Sequence, residues 1–217
     1  MTQPSPDFRI VIVPVTPFQQ NCALLFDDQT KRGAVIDPGG DVPTILAAIA
    51  KHGLTIEKIL ITHGHIDHAG GADELREKLG VQIEGPHRQD EFLLQDLPKT
   101  GAQYGMLEAR IMVPDRWLVE GDVVEVAGFS FSVIAAPGHS PGSVVFFNKV
   151  QRFAFMGDVL FKGSIGRTDL RRSNHDDLIR AIKQKILPLG DDVTFLPGHG
   201  QTSTIGKEKS SNPFIGA

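Results

Sequence analysis

The chain has 217 residues, 41% apolar and 22% charged, a balance that suits one large globular domain and excludes an intrinsically disordered chain. Its formal net charge of −4 argues against nucleic acid as the main partner, because phosphate binding draws on clustered Lys and Arg. No span approaches transmembrane length, Met1 to Asp7 lack the basic start of a secretion signal, and the single cysteine, Cys22, allows no internal disulfide. A cytoplasmic protein without a membrane partner is expected.

In chain order, the first stretch is β-rich. Phe8 to Val15, Ala23 to Phe26 and Ala34 to Ile36 are apolar runs separated by polar or Gly/Pro punctuation, and Cys22 beside the second run reads as a buried, inert thiol. A helix follows: Asp41 is placed to cap it, Pro43 suits its first turn, and Val42, Ile45, Leu46, Ile49 and Ala50 recur at helical spacing until Gly53. Ile56 to Ile61 is a further strand and Ala72 to Leu79 a second helix. Between Val81 and Val119 the pattern weakens to a short strand, a helical stretch at Glu91 to Leu94 and a loop through Gly101 to Gly105, and the segment 84–119 is expected to form a lid.

Strand patterns return at Val123 to Val126, Phe129 to Ala135, Val144 to Phe147 and Phe153 to Met156. The next helix begins with Ser173 three residues before Asp176, a near match to a capping box, and carries Leu178, Ile179, Ile182 and Ile186 on one side. Val193 to Leu196 supplies the last strand. Two β blocks, each followed by helices, predict a layered α/β fold: an αββα sandwich of two mixed β-sheets flanked by helices.

Four segments share one grammar: an apolar strand, a small break, then residues that ligate metals. They end at His63, His139, Asp158 and His199, and strands ending this way can deliver all four groups to one edge of a sandwich. In Thr62-His63-Gly64-His65-Ile66-Asp67-His68 the alternate residues His63 and His65 share a side if the segment is extended, so both could grip one ion. Ala69-Gly70-Gly71 permits a tight turn, which lets Asp67 and His68 face a second ion. Taken alone, His139 or His199 is more often structural than not. Burying three His and one Asp within six positions would be costly without a metal.

On these residues the chain resembles the metallo-β-lactamase-fold superfamily, whose H-x-H-x-D-H motif, later His, bridging Asp and last His match His63, His65, Asp67, His68, His139, Asp158 and His199. The resemblance implies one ion held by His63, His65 and His139, another by Asp67, His68 and His199, and Asp158 bridging them. A water between the ions is then the nucleophile, with Asp67 as the catalytic residue that orients it. Two divalent transition-metal ions are expected, zinc first, with iron and manganese suited to the same donors. Asp37 occupies a position that in this superfamily buttresses the site, its alternative being a turn residue.

Common dizinc β-lactamases place Cys where this chain has Asp158, which turns the expectation away from lactams. A bridging carboxylate fits glyoxalase II, which hydrolyses S-D-lactoylglutathione to glutathione and D-lactate, and it fits lactonases and RNA-processing nucleases. The nucleases carry a large inserted domain and a basic exosite with no counterpart here. The segments Phe161 to Leu170 and Gly198 to Phe214 resemble the short, YcbL-like bacterial glyoxalase II type. The long form adds a helical glutathione-binding domain after its last ligand, whereas only Gly200 to Ala217 follow His199, so a single domain over 1–217 is expected.

The resemblance places Arg167 against the glutathione moiety as a substrate-binding residue. Lys162, Arg171 and Arg172 read as solvated charge, His175 as structural, and Tyr104 and Met106 as candidates for the mouth of the site. The alternative function is a persulfide dioxygenase acting on glutathione persulfide, which uses one iron held by two His and one Asp and consumes O₂. A metal-stabilised binding module is the non-enzymatic alternative. The sequence carries no signal for oligomeric state.

Overall fold

The first β block closes into one sheet of five strands in sequence order. β1 (Phe8–Val15), β2 (Gln20–Asp27) and β3 (Arg32–Ile36) pair antiparallel, while β3, β4 (Thr55–Leu60) and β5 (Gln82–Glu84) pair parallel. Parallel neighbours need crossovers, and these are α1 (Val42–His52) after β3, then α2 (Ile66–Ala69) and α3 (Ala72–Leu79) after β4. The architecture comes from a computed structural model that describes residues 8–215. The segment Met1 to Asp7, read above for a secretion signal, lies outside them.

Two short helices, α4 (Glu91–Gln95) and α5 (Leu97–Tyr104), lead to the second β block. Its strands are β6 (Val123–Val126), β7 (Phe129–Ala135), β8 (Val144–Asn148) and β9 (Phe153–Gly157), followed by a separate hairpin of β10 (Leu160–Phe161) and β11 (Ser164–Ile165). After α6 (His175–Ala181) come β12 (Thr194–Pro197), β13 (Ser203–Thr204) and α7 (Ile205–Ser211). The six-stranded order is β13-β12-β9-β8-β7-β6, antiparallel except for the β12–β9 pair that α6 bridges. Both sheets are therefore mixed, with helices outside, as the αββα reading expects.

Strand periodicity decides which side chains meet between the sheets. On β2, Ala23 and Leu25 face the other sheet and pack with Leu60, Phe131, Phe146, Phe155 and Leu196, whereas Cys22, Leu24 and Phe26 face the helices with Ile45, Ile59 and Leu75. Cys22 is fully buried and burial pushes its thiol well up, which makes it the inert residue expected.

Several boundaries differ from the sequence reading for identifiable reasons. Asp41 does not cap α1 with its side chain: it takes a left-handed backbone (φ 50°), and its carboxylate accepts the Thr16 N–H at 2.6 Å. The stretch expected as a loop at Gly101 to Gly105 is helical to Tyr104, because Gly101 is there to let the Met106 carbonyl approach and only Gly105 (φ 74°) ends the turn. The cap of α6 is Asn174, whose Oδ1 accepts the Asp177 N–H at 3.1 Å, while Ser173 Oγ donates to the Leu170 carbonyl at 2.7 Å. The predicted stripe is kept, with Leu178, Ile182 and Ile186 buried and the last two carried on a π-turn. The tail beyond His199 also folds back: buried Glu208 of α7 accepts from Gly163 N–H at 2.7 Å and Asn212 Nδ2 at 3.0 Å.

Losing the cap of α6 leaves an unsatisfied amide at a helix start, so Asn174→Ala should lower the unfolding free energy by about 1 kcal/mol. Urea denaturation measures this, and a change within a few tenths of a kcal/mol would remove the cap assignment.

Candidate metal centre

Strand ends from both sheets converge on one edge. β4 of the first sheet runs into Thr62 and His63, while β7, β9 and β12 of the second run toward His139, Asp158 and His199. His65 N-caps the single turn α2, whose first bonds are His68 N–H and Ala69 N–H to the His65 carbonyl, and this turn presents Asp67 and His68 beside the extended His63. Three overlapping groups result, each with its ligating atoms within 4.8 Å of one another: His63, His65 and His139; Asp67, His68 and His199; and His63, His68 and Asp158. All seven predicted residues are brought together, in the two triads expected.

Asp158 lies between the triads. Its Oδ1 is 3.3 Å from His68 Nε2, and its Oδ2 is 3.5 Å from both His139 Nε2 and His199 Nε2. Gly198 leaves the room for this, since a Cβ there would strike Asp158 Oδ1 and the His68 ring. Asp67 Oδ2 lies 3.1 Å from His199 Nε2.

Outer hydrogen bonds aim the rings. His68 Nδ1–H donates to Asp37 Oδ2 at 2.9 Å, His139 Nδ1–H to the Arg167 carbonyl at 2.9 Å and His199 Nδ1–H to the Phe18 carbonyl at 3.3 Å. Each ring is thus held from behind through Nδ1 and turns its Nε2 to the site, where His139 Nε2 lies 2.8 Å from His65 Nδ1 and His68 Nε2 lies 3.3 Å from Asp158. Asp37 thus takes the buttressing role rather than that of a mere turn residue. It is buried, and it also accepts Thr62 N–H at 2.7 Å and Thr62 Oγ1–H at 2.6 Å.

The donor set fits a metal ion. His63 Nε2, His68 Nε2 and Asp158 Oδ1 are buried without a hydrogen-bond partner, an arrangement that costs about 1–3 kcal/mol per group unless something accepts those lone pairs. Burial, reinforced by neighbouring imidazoles, holds His63 well below its ordinary pKa, and burial with His139 brings His65 down to about 3, so both are neutral ligands near pH 7. In the other triad, burial is outweighed: Asp158, Asp67 and Asp37 hold His68 up, and Asp67 holds up His199. Against burial of their own, Asp67 and Asp158 are kept ionised chiefly by His68. His63, His65 and His139 on one side and Asp67, His68 and His199 on the other could each hold an ion, with Asp158 shared.

A cavity of about 630 Å³ opens over these groups. The expected lid supplies one wall through Leu93, Asp96, Leu97, Thr100 and Tyr104, and the segment after β11 supplies the other through Arg167, Leu170 and Arg171. Arg167 lines the cavity with its guanidinium paired bidentately to Asp169 at 2.7 and 2.8 Å. Arg171 joins the walls: it donates to Asp96 at 2.8 Å and lies over Phe92, on which Arg172 also stacks. Lys162 donates to Gln201. Tyr104 is at the mouth, edge-on to Phe18 at 5.1 Å. Met106 is not: it packs beside Gly40 and lines a separate hollow, because Gly105 turns the chain away after Tyr104. His175 starts α6 near Thr168 and stays out of the cavity lining.

Two contributors escaped the sequence reading. Asp90 is fully buried against both Gly64 and Ser140, and Asn21 at the start of β2 clamps the His199 loop through bonds to Pro197, Gly198 and Gly200. Neither sits in a pattern that local spacing could reveal.

This fold and site are those of a metal-dependent hydrolase. The family model described as the metallo-beta-lactamase superfamily matches residues 15–199, and the chain belongs to that superfamily. It is 44% identical over 208 residues to the hydroxyacylglutathione hydrolase GloC of Haemophilus influenzae, an alignment spanning 95% of this chain and 98% of that protein. Among solved structures, the BLEG-1 B3 metallo-beta-lactamase has a TM-score of 0.88 at 35% identity over 97% of this chain and 100% of that one. TTHA1623 in a di-iron-bound form has a TM-score of 0.84 at 34% identity, covering 94% and 99%.

Because Asp37 fixes the His68 ring, Asp37→Ala should weaken metal binding by roughly tenfold to a hundredfold. Competition with a chromophoric chelator reads this, and an unchanged affinity would return Asp37 to a turn role.

Proposed function

We propose that this chain is a glyoxalase II-type thioesterase that hydrolyses S-D-lactoylglutathione to glutathione and D-lactate at a two-metal centre. The observation that carries the reading is Asp158 between two complete three-donor sets, and the likeness to a protein named as a hydroxyacylglutathione hydrolase supports the substrate. His63, His65 and His139 would hold one divalent ion and Asp67, His68 and His199 the other. Zinc is our assignment, and the di-iron form of a relative makes iron its direct competitor. When bound, such a pair supplies Lewis acidity that makes water nucleophilic near neutral pH and polarises a carbonyl.

The chain's own residues supply the rest. Asp67, ionised and partly open to the cavity, orients the attacking water and accepts its proton. The lid wall and the Arg167 wall together grip the substrate. Two N–H groups of Arg167 are engaged by Asp169, and the remaining donors can pair with a carboxylate of the glutathione part. Among the described residues no helix is long and apolar enough to cross a membrane. A cytoplasmic setting fits a glutathione substrate and the lone reduced Cys22.

A likeness to a B3 β-lactamase keeps lactam hydrolysis as the second reading. Metal-replete protein assayed under strict anaerobiosis separates the possibilities. Turnover of S-D-lactoylglutathione, with far slower opening of a β-lactam, is the expected outcome. Preferred turnover of the lactam overturns the thioesterase reading, and O₂-dependent turnover of glutathione persulfide without thioesterase activity favours a dioxygenase.

Arg167→Ala removes a charge-assisted contact of about 1.5–3 kcal/mol, so kcat/KM for the glutathione thioester should fall roughly tenfold to a hundredfold, mainly through KM. Metal content should not change. Equal slowing of a small neutral thioester, or no slowing of either, would show that Arg167 does not recognise the glutathione part.

A further inference from the structure

We propose that the Asp90 carboxylate is the positioning residue that fixes the His63, His65 and His139 cluster and ties the lid to it, a role that rests on the two-metal reading above. Three donors from two separate segments converge on this fully buried side chain. Oδ2 accepts the Gly64 N–H at 2.8 Å and the Ser140 hydroxyl at 2.7 Å, and Oδ1 accepts the Gly142 N–H at 2.6 Å. Gly64 lies between His63 and His65, and Ser140 follows His139 directly. One carboxylate therefore holds both segments that carry the three histidines in a fixed mutual register.

The surroundings are shaped for this contact. A Cβ on Gly64 would come within 3.2 Å of the Asp90 Cβ and 2.9 Å of the Leu93 Cβ, and one on Gly142 within 2.6 Å of the Asp90 Cγ. Only glycine lets both amides reach the carboxylate. Ser140 Oγ also lies 2.7 Å from Ser143 Oγ, which restrains the hydroxyl that donates to Asp90. On the lid side, His87 N–H donates to the Gly142 carbonyl at 3.1 Å, and Asp90 immediately precedes α4, the first lid helix. Asp37 does the corresponding work for His68 in the other triad, so each half of the centre has its own buried carboxylate.

Calorimetric titration of the metal-free full chain with Zn²⁺ tests this on the wild type, Asp90→Asn and Ser140→Ala. The amide of Asp90→Asn cannot accept on one side, so one of two binding events should weaken roughly tenfold to a hundredfold while the other stays within about threefold. Ser140→Ala, which removes one donor and leaves the carboxylate, should weaken the same event by roughly three- to tenfold. A purely structural role would weaken both events together and lower the melting temperature of the metal-free chain. That result, or two unchanged events in folded Asp90→Asn, overturns the proposal. If Asp90→Asn does not fold, Ser140→Ala decides alone: selective weakening supports the role and an unchanged titration overturns it. A wild type that binds only one ion overturns the two-metal reading instead, and Asp90 is then judged by whether that single event weakens. A wild type that binds none overturns both.

Discussion

The structure depends on keeping several bare lone pairs close together and largely out of water. His63, His68, His139 and Asp158 are buried, and the His63 and His139 rings lie 4.8 Å apart with His65 as near. The cluster has few contacts of its own, His65 with His139 and Asp67 with His199 among them, and His63 Nε2, His68 Nε2 and Asp158 Oδ1 are left without a hydrogen-bond partner. The shape is imposed from outside, by strand ends of two sheets whose facing side chains, Phe131, Phe146, Phe155 and Leu196 among them, interlock in the middle layer. Ring orientation is then set by acceptors that belong to other segments: Asp37, the Arg167 carbonyl and the Phe18 carbonyl. Rigid supports and aimed rings together spare a reaction the energy of assembling the site at the moment it is used.

The two triads are electrostatically unequal. One is built of three imidazoles, two of which, His63 and His65, burial holds well below their ordinary pKa, and the other contains Asp67 and borrows Asp158. With two carboxylates among seven donors, a pair of divalent cations held here would keep a net positive charge, which is the chemistry that stabilises a developing oxyanion. The same imbalance holds His68 well above its ordinary pKa, because three carboxylate neighbours, Asp158, Asp67 and Asp37, favour positive charge at that spot and outweigh its burial.

At the rim the charges are arranged differently. Arg167 is matched to Asp169 and Arg171 to Asp96, so the cavity mouth offers cations that already have partners. An anionic ligand that reached Arg167 would have to share it with Asp169. Exposed pairs of this kind are weak enough for such exchange, whereas the Arg171 pair, with Phe92 beneath it, joins the lid to the opposite wall. Two arginines of one short segment are thus held in different ways, Arg167 by an exposed partner two residues away and Arg171 across the cavity.

What could be read in the sequence follows from how local each cause is. Strands such as Phe8 to Val15 and Val123 to Val126 announce themselves as short apolar runs bounded by polar or Gly/Pro residues, and the H-x-H-x-D-H segment does so because that many polar ligands after a buried strand have few other uses. The helix of the lid was hidden by Gly101, a residue selected by the approach of a carbonyl rather than by a loop. Asp41 and Ser173 carry the right side chains for caps, yet a distant amide and a preceding carbonyl claim them first. Asp90 is the clearest case, since its partners lie 26, 50 and 52 residues away and its own neighbours look like an ordinary helix start. Ligands are chosen by chemistry that a residue carries with it, so they are legible one segment at a time. The carboxylates that aim them are chosen by which segments the fold brings together, and only the folded chain displays that choice.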